Sequence, residues 1–123
     1  MEDGLGITYH AYDLVTGNEV INANEEAYSR KDFPERRYKI VDRTDCTEYR
    51  VGASEVKKIA EQEKDGAKIN PDFIVALVSK TDHQFGMTRM YHAYMNDEGF
   101  ISESFEDQES AMQWINKKIK KSE

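Results

Sequence analysis

The chain reads as a single α/β domain over residues 1–123: four β-α units whose strands form a mostly parallel sheet with helices packed on it. Two observations carry that reading. The run Phe73-Ile74-Val75-Ala76-Leu77-Val78 is continuously apolar and lies between Asn70-Pro71 and Ser79. A strand apolar on both sides belongs inside a parallel sheet covered on both faces. Directly after it, Met87, Met90, Tyr91, Tyr94 and Met95 recur at i, i+3, i+4, i+7 and i+8, one stripe of an amphipathic helix.

The first unit opens with Ile7-Thr8-Tyr9-His10-Ala11-Tyr12, aromatic and β-branched residues that favour a strand. Thr16 and Glu19 then have capping-box spacing, so a helix follows to about Ser29, with Val20, Ala23 and Ala27 inward and Ile21 and Tyr28 beside them. Glu26 and Arg30 are spaced to pair along it. The second strand, Tyr38–Asp42, is shorter and more polar than the third, which suggests a place nearer an edge. Its helix starts near Ser54, turns Val56, Ile59 and Ala60 inward, carries Glu55 in its first turn and ends at Gly66.

In the third unit Thr81 and Gln84 form a second capping box, and Gly99 marks the far end of the helix. The fourth strand, Phe100–Phe105, alternates apolar and polar residues, as a half-exposed edge strand does. Its helix aligns Ala111, Met112, Ile115 and Ile119. Acidic Glu106, Asp107 and Glu109 lead it and Lys117, Lys118, Lys120 and Lys121 close it, the order the helix dipole favours. Parallel neighbours are the default, with an antiparallel edge left open for Ile7–Tyr12.

Composition narrows the function. A formal net charge of -7 argues against nucleic acid and anionic membrane surfaces, whose recognition needs a basic face. The mean hydropathy of -0.82 reflects a highly charged surface around patterned apolar stripes. No apolar run approaches the roughly 20 residues of a membrane span, so no integral membrane association is expected. Met1-Glu2-Asp3-Gly4 lacks the basic start of a secretory signal, and the single Cys46 cannot form an internal disulfide; both point to the cytoplasm.

Several segments resemble the small, free-standing SpoIIAA-like (STAS-like) bacterial proteins. They are Val15-Thr16-Gly17-Asn18-Glu19, Tyr38-Lys39-Ile40-Val41-Asp42, Phe85-Gly86-Met87-Thr88-Arg89-Met90-Tyr91, and Phe105 to Ile115 with its Glu109-Ser110-Ala111-Met112-Gln113-Trp114-Ile115. The resemblance implies the same four-unit fold and no established enzymatic activity. Better-known relatives, the anti-sigma factor antagonists, switch partners by phosphorylation of a serine at a helix start. Aligned on Asp42 to Ser54, that switch falls on Val51 and Gly52, which leaves Ser54 as its only substitute.

Motifs of catalysis are missing. Gly4-Leu5-Gly6 is not followed by the third glycine of a dinucleotide loop, and no Cys-x-x-Cys, His-Glu-x-x-His or Gly-x-Ser-x-Gly occurs. His83 and His92 fall on nearly opposite helix faces, so no shared metal site is expected. Asp45 and Glu48 beside Cys46 oppose an activated thiol, though Arg43 and Arg50 are near. No metal, cofactor or catalytic residue is therefore assigned, and His10 reads as a structural histidine.

Two candidate sites remain. In open α/β sheets ligands bind beyond the carboxyl ends of the strands, which places Asp42, Arg43 and Thr44 beside Ser79, Lys80, Thr81 and His83 as a site for a small anionic or amphipathic ligand. On the third helix Phe85, Arg89 and His92 form an aromatic-basic strip beside adaptable methionines, a candidate interface for an unidentified protein partner or a homodimer. A non-enzymatic interaction module is the first reading, a small-ligand binder the alternative. The basic cluster Arg30, Lys31, Arg36, Arg37 and Lys39 reads as a solvated loop.

Overall fold

The computed structural model describes residues 5–96 and 98–122, with side chains through Lys120. The Met1–Gly4 segment and the Lys121 side chain, both used above, lie outside these. The order of elements is β1 (Gly6–Thr16), α1 (Gly17–Tyr28), a 3-10 turn at Phe33–Glu35, β2 (Tyr38–Arg50), α2 (Ala53–Ile69), β3 (Ile74–Val78), α3 (Asp82–Met95), β4 (Ile101–Phe105) and α4 (Gln108–Ser122). All strand pairs are parallel, in the order β1-β2-β3-β4. β1 is thus parallel at one edge and β4 occupies the other.

Residue alternation along the strands explains the layers. Ile74, Ala76 and Val78 point to one face, where with Tyr38 and Ile40 they bury Ala111 and Ile115 of α4. Val75 and Leu77 point to the other face, beneath α1, α2 and α3. The apolar hexapeptide therefore lies between two covered layers. Phe73, just before β3, meets Phe33, Tyr28 and Phe100 in an aromatic cluster with centroids 4.9 to 6.3 Å from it.

Several boundaries differ from the sequence reading. β2 is not a short near-edge strand: it lies between β1 and β3 and runs to Arg50. β3 accompanies it only as far as Asp42, opposite Val78, and from there β2 continues with β1 alone. Polar Asp45, Thr47 and Glu48 disguise this ribbon because it is largely exposed, so no apolar run marks it. β1 likewise continues past Tyr12 to Thr16, with an irregular register around Asp13, whose φ is 51°.

Helix ends moved as well. Both threonine capping boxes form as expected at Thr16–Glu19 and Thr81–Gln84. Gly66 does not end α2: it is buried inside the helix, where an added Cβ would stand 2.6 Å from the ring of Phe100. Close packing, not termination, explains that glycine. Gly99 does not end α3 either, because left-handed Asn96 (φ 47°) caps it. The face α3 buries is Gln84, Thr88, Tyr91 and Met95, while Met87 and Met90 are only partly covered and Tyr94 is exposed. α1 stops at Tyr28, so Arg30 pairs with Asp32 at 3.1 Å instead of Glu26.

Candidate functional site

Lys39, Val41 and Arg43 alternate onto the same face of β2, under the three-helix layer. Lys39 is 2% exposed and Arg43 3%, so Lys39 does not belong to a solvated loop as the basic cluster suggested. Burying a cation is costly unless acceptors and an opposite charge replace water. Lys39 has both. Its Nζ donates to Asn24 Oδ1 at 3.1 Å, to the Tyr28 hydroxyl at 2.5 Å and to Glu63 Oε1 at 3.2 Å, which uses all three ammonium protons. The Tyr28 hydroxyl in turn donates to Glu63 Oε2, and Asn24 Nδ2 reaches Gln62 at 3.3 Å. Burial and the Glu63 charge hold the Tyr28 hydroxyl well above its ordinary ionisation range.

Arg43 is provided for differently. Its Nη2 donates to Ser79 Oγ and to Thr88 Oγ1, the latter at 2.7 Å, and its guanidinium lies 5.1 Å from the centre of the Tyr49 ring. All three partners are neutral. Its Nε is buried and makes no hydrogen bond, and no carboxylate pairs with Arg43 among the described residues. A guanidinium stays charged in proteins, so on this face of the sheet two enclosed cations meet one enclosed carboxylate, Glu63, while the other buried carboxylate, Asp42, lies on the opposite face. The surplus on that face is one positive charge.

That surplus borders a void. A cavity of about 80 Å³ lies between the sheet and α1–α3, lined by Arg43, Lys39, Glu63 and Tyr91 and by apolar side chains including Val41, Leu77 and Met87. The Tyr91 hydroxyl is buried and also makes no hydrogen bond. Ser102 and Glu63 nevertheless lie within hydrogen-bonding range of it, and burial first, then the Glu63 charge, hold its ionisation well above the ordinary range. A wider groove of about 500 Å³ beside β4, at His92, Met95 and Ile101, includes neither Arg43 nor Tyr91.

The residues proposed from sequence divide between the two faces. Arg43 lines the cavity and is bonded to buried Ser79 behind it. Asp42 and Thr44 point the other way: Asp42 Oδ1 accepts from Thr44 N at 3.0 Å, and its Oδ2 lies 3.3 Å from His10 Nε2. Thr81 caps α3 by accepting from Gln84 N at 3.1 Å, while Lys80 N donates to Gln84 Oε1 at 2.8 Å, so this helix end is closed by its own chain. Gln84 Nε2 then donates to the Arg43 carbonyl at 3.1 Å. His83 Nε2 lies 3.0 Å from the Tyr49 carbonyl oxygen and tethers the β2 extension over Arg43.

On α3, Phe85 is partly buried and Arg89 exposed, whereas His92 turns to Ser102 Oγ at 2.5 Å. Ser54 is exposed in the first turn of α2 and donates to Glu55 at 2.7 Å. Buried Cys46 donates its S–H to the Glu48 carbonyl at 3.3 Å, and burial pushes its thiol up. Among the described residues no group of three or more His, Cys, Asp or Glu side chains could hold a metal ion, and no helix is long and apolar enough to cross a membrane.

Sequence reasoning placed neither Lys39 nor Glu63 at a site and read Tyr91 only as part of the α3 stripe, though a signal existed for the first two. Glu63 continues the buried stripe Val56, Ile59, Ala60 at the next helical position, and Lys39 and Arg43 bracket Val41 at strand period. Comparison with known protein families, with curated proteins and with solved structures finds no match.

Proposed function

We propose that this chain is a non-catalytic binding protein for a small amphipathic anion, held in the cavity between β2–β3 and the α1–α3 layer. The observation that carries this is Arg43, an enclosed cation with only neutral partners on the wall of a largely apolar cavity. An anionic ligand would supply the missing charge, and an apolar body would fill the space beside Val41, Leu77 and Met87. The reactive groups nearby support binding over catalysis, because Lys39 and Glu63 neutralise each other.

The resemblance to SpoIIAA-like proteins belongs to the same proposal, as does a cytoplasmic setting. With Val51 and Gly52 at the switch positions, ligand occupancy takes the place of phosphorylation as the controlling event. Self-association through α3 has less support, since His92 is engaged within the chain by Ser102. The test is thermal unfolding in the presence of short-chain carboxylates, phosphate and sulfate, because a ligand that binds only the folded state raises the melting temperature. Stabilisation by one class of anion, abolished in Arg43→Met, is expected. No stabilisation, or the same stabilisation in the variant, refutes the reading.

A further inference from the structure

β1 has a neighbouring strand on one side only, so its outer side presents backbone groups to which another strand can add. The phase of its ladder is fixed. The Leu5 carbonyl accepts from Arg37 N at 2.6 Å, so Leu5, Ile7 and Tyr9 address β2, and Thr8, at the alternate position, turns its backbone N–H and C=O outward. From Gly6 to His10 the strand pairs one-to-one with Tyr38–Asp42, before the irregular register begins. This straight stretch has no lysine, arginine, carboxylate or proline, the residues that ordinarily blunt an open edge, in a chain that is 33% charged.

A groove of about 420 Å³ runs beside the same stretch, between β1 and α1. α1 lies inward of the edge: its Ala23 carbonyl accepts from the Tyr9 hydroxyl at 3.2 Å, and Asn24 and Tyr28 reach Lys39 on β2. Towards the groove it turns Ala23, Glu26 and Ala27, with Arg30 just beyond its end. Glu26 and Arg30 are exposed. Arg30 holds Asp32 through Nε and Nη2, which leaves its Nη1 for a further acceptor.

We propose that a second copy of this chain occupies this edge, the two β1 strands pairing antiparallel about a two-fold axis at Thr8. The two sheets then become one. In that register Thr8 faces Thr8 and exchanges both backbone hydrogen bonds, while Ile7 faces Tyr9 at the closer, non-bonded positions. Thr–Thr and aromatic–β-branched pairs are favourable cross-strand combinations. Strands lie about 4.8 Å apart, so two α1 helices, each seated between the first and second strands of its own copy, stand about 10 Å apart, close to helix-packing distance. The axis reverses one helix against the other. Glu26 of each copy thus comes toward Arg30 of the other, across the small Ala23 and Ala27. The charges are self-complementary, as an isologous interface requires. The anion site lies within each copy and takes no part in this contact.

Sedimentation velocity of the whole chain, from micromolar to millimolar concentration, tests this. A reversible dimer is expected. Thr8→Lys, at an exposed position, sets two ammonium groups face to face on the axis and should raise the dissociation constant on the order of a hundredfold, with the circular dichroism unchanged. Glu26→Arg should weaken the dimer too, and adding Arg30→Glu should restore it. A chain that stays monomeric throughout overturns the proposal, as does a dimer that survives Thr8→Lys or a charge exchange that restores nothing. Hydrogen exchange on the unaltered protein decides the matter even if the variants fold poorly. The outward Thr8 amide should exchange more slowly as the dimer forms, and an unchanged rate there refutes a contact through β1.

Discussion

Lys39 and Arg43 share one face of β2, four positions apart and almost equally enclosed, yet only Lys39 faces a carboxylate, Glu63 at 3.2 Å. The same strand thus holds one finished cation and one unfinished one. In the first, the low dielectric strengthens a complete set of bonds; in the second it raises the cost of a charge with only neutral partners. A chain selected for stability alone would place an apolar residue at 43. The difference between these two positions separates support from function.

Arg43→Met should therefore leave stability unchanged or raise it, within about 2 kcal/mol, because it removes an uncompensated buried charge. Thr88 keeps its bond to the Gln84 carbonyl at 3.0 Å after the change. Urea unfolding measures this. A loss larger than that would make Arg43 a structural anchor and not a ligand group.

Glu63→Ala should be costly, about 3–5 kcal/mol, since it strands the Lys39 ammonium in a dry layer. Lys39→Met combined with Glu63→Leu should recover most of that loss by replacing the pair with apolar volume. Additive losses in the double variant would show that the network, including Tyr28 and Asn24, matters more than the charge balance.

Alkaline pH should destabilise the fold earlier than surface tyrosines alone would predict. Tyr28 and Tyr91 are both held well above the ordinary tyrosine value of 10.0, chiefly by burial and then by Glu63. Their contribution is complete below that value and is lost above it, as the unfolded chain ionises first. Half-buried His92 works in the opposite direction: burial lowers it from 6.5, so its contribution is present above that pH and declines as pH falls through it. Urea midpoints against pH should fall on both sides, with the alkaline arm flattened in Tyr91→Phe and the acid arm flattened in His92→Gln.

Gly66→Ala sets two effects against each other. Alanine in a helix interior gains about 0.5–1 kcal/mol, but its methyl would enter the ring of buried Phe100, and overpacking costs about 1–3 kcal/mol. A lower melting temperature is expected, rescued by Phe100→Leu. An increase would mean that the aromatic cluster yields easily.

How much of this could be read in advance depends on the period of each signal. The apolar hexapeptide and the two threonine caps are local patterns, and they appear where the residues place them. The β1–β2 ribbon escaped notice because exposed strand residues carry no apolar alternation. The α3 stripe shifted toward Gln84 and Thr88 because tertiary partners, the Arg43 carbonyl and guanidinium, outweigh the hydrophobicity of methionine. The site was half visible: Arg43 and Ser79 follow from strand ends, but Glu63 and Tyr91 join Arg43 around the cavity from helices remote in sequence, and only folding brings those groups together.

Nuclear magnetic resonance titration of the isotope-labelled chain with butyrate probes the cavity most directly. Saturable shifts should centre on the amides of Val41, Arg43, Leu77 and Thr88 and vanish in Arg43→Met. Shifts scattered over the surface, or unchanged in that variant, would contradict an anion seated on Arg43.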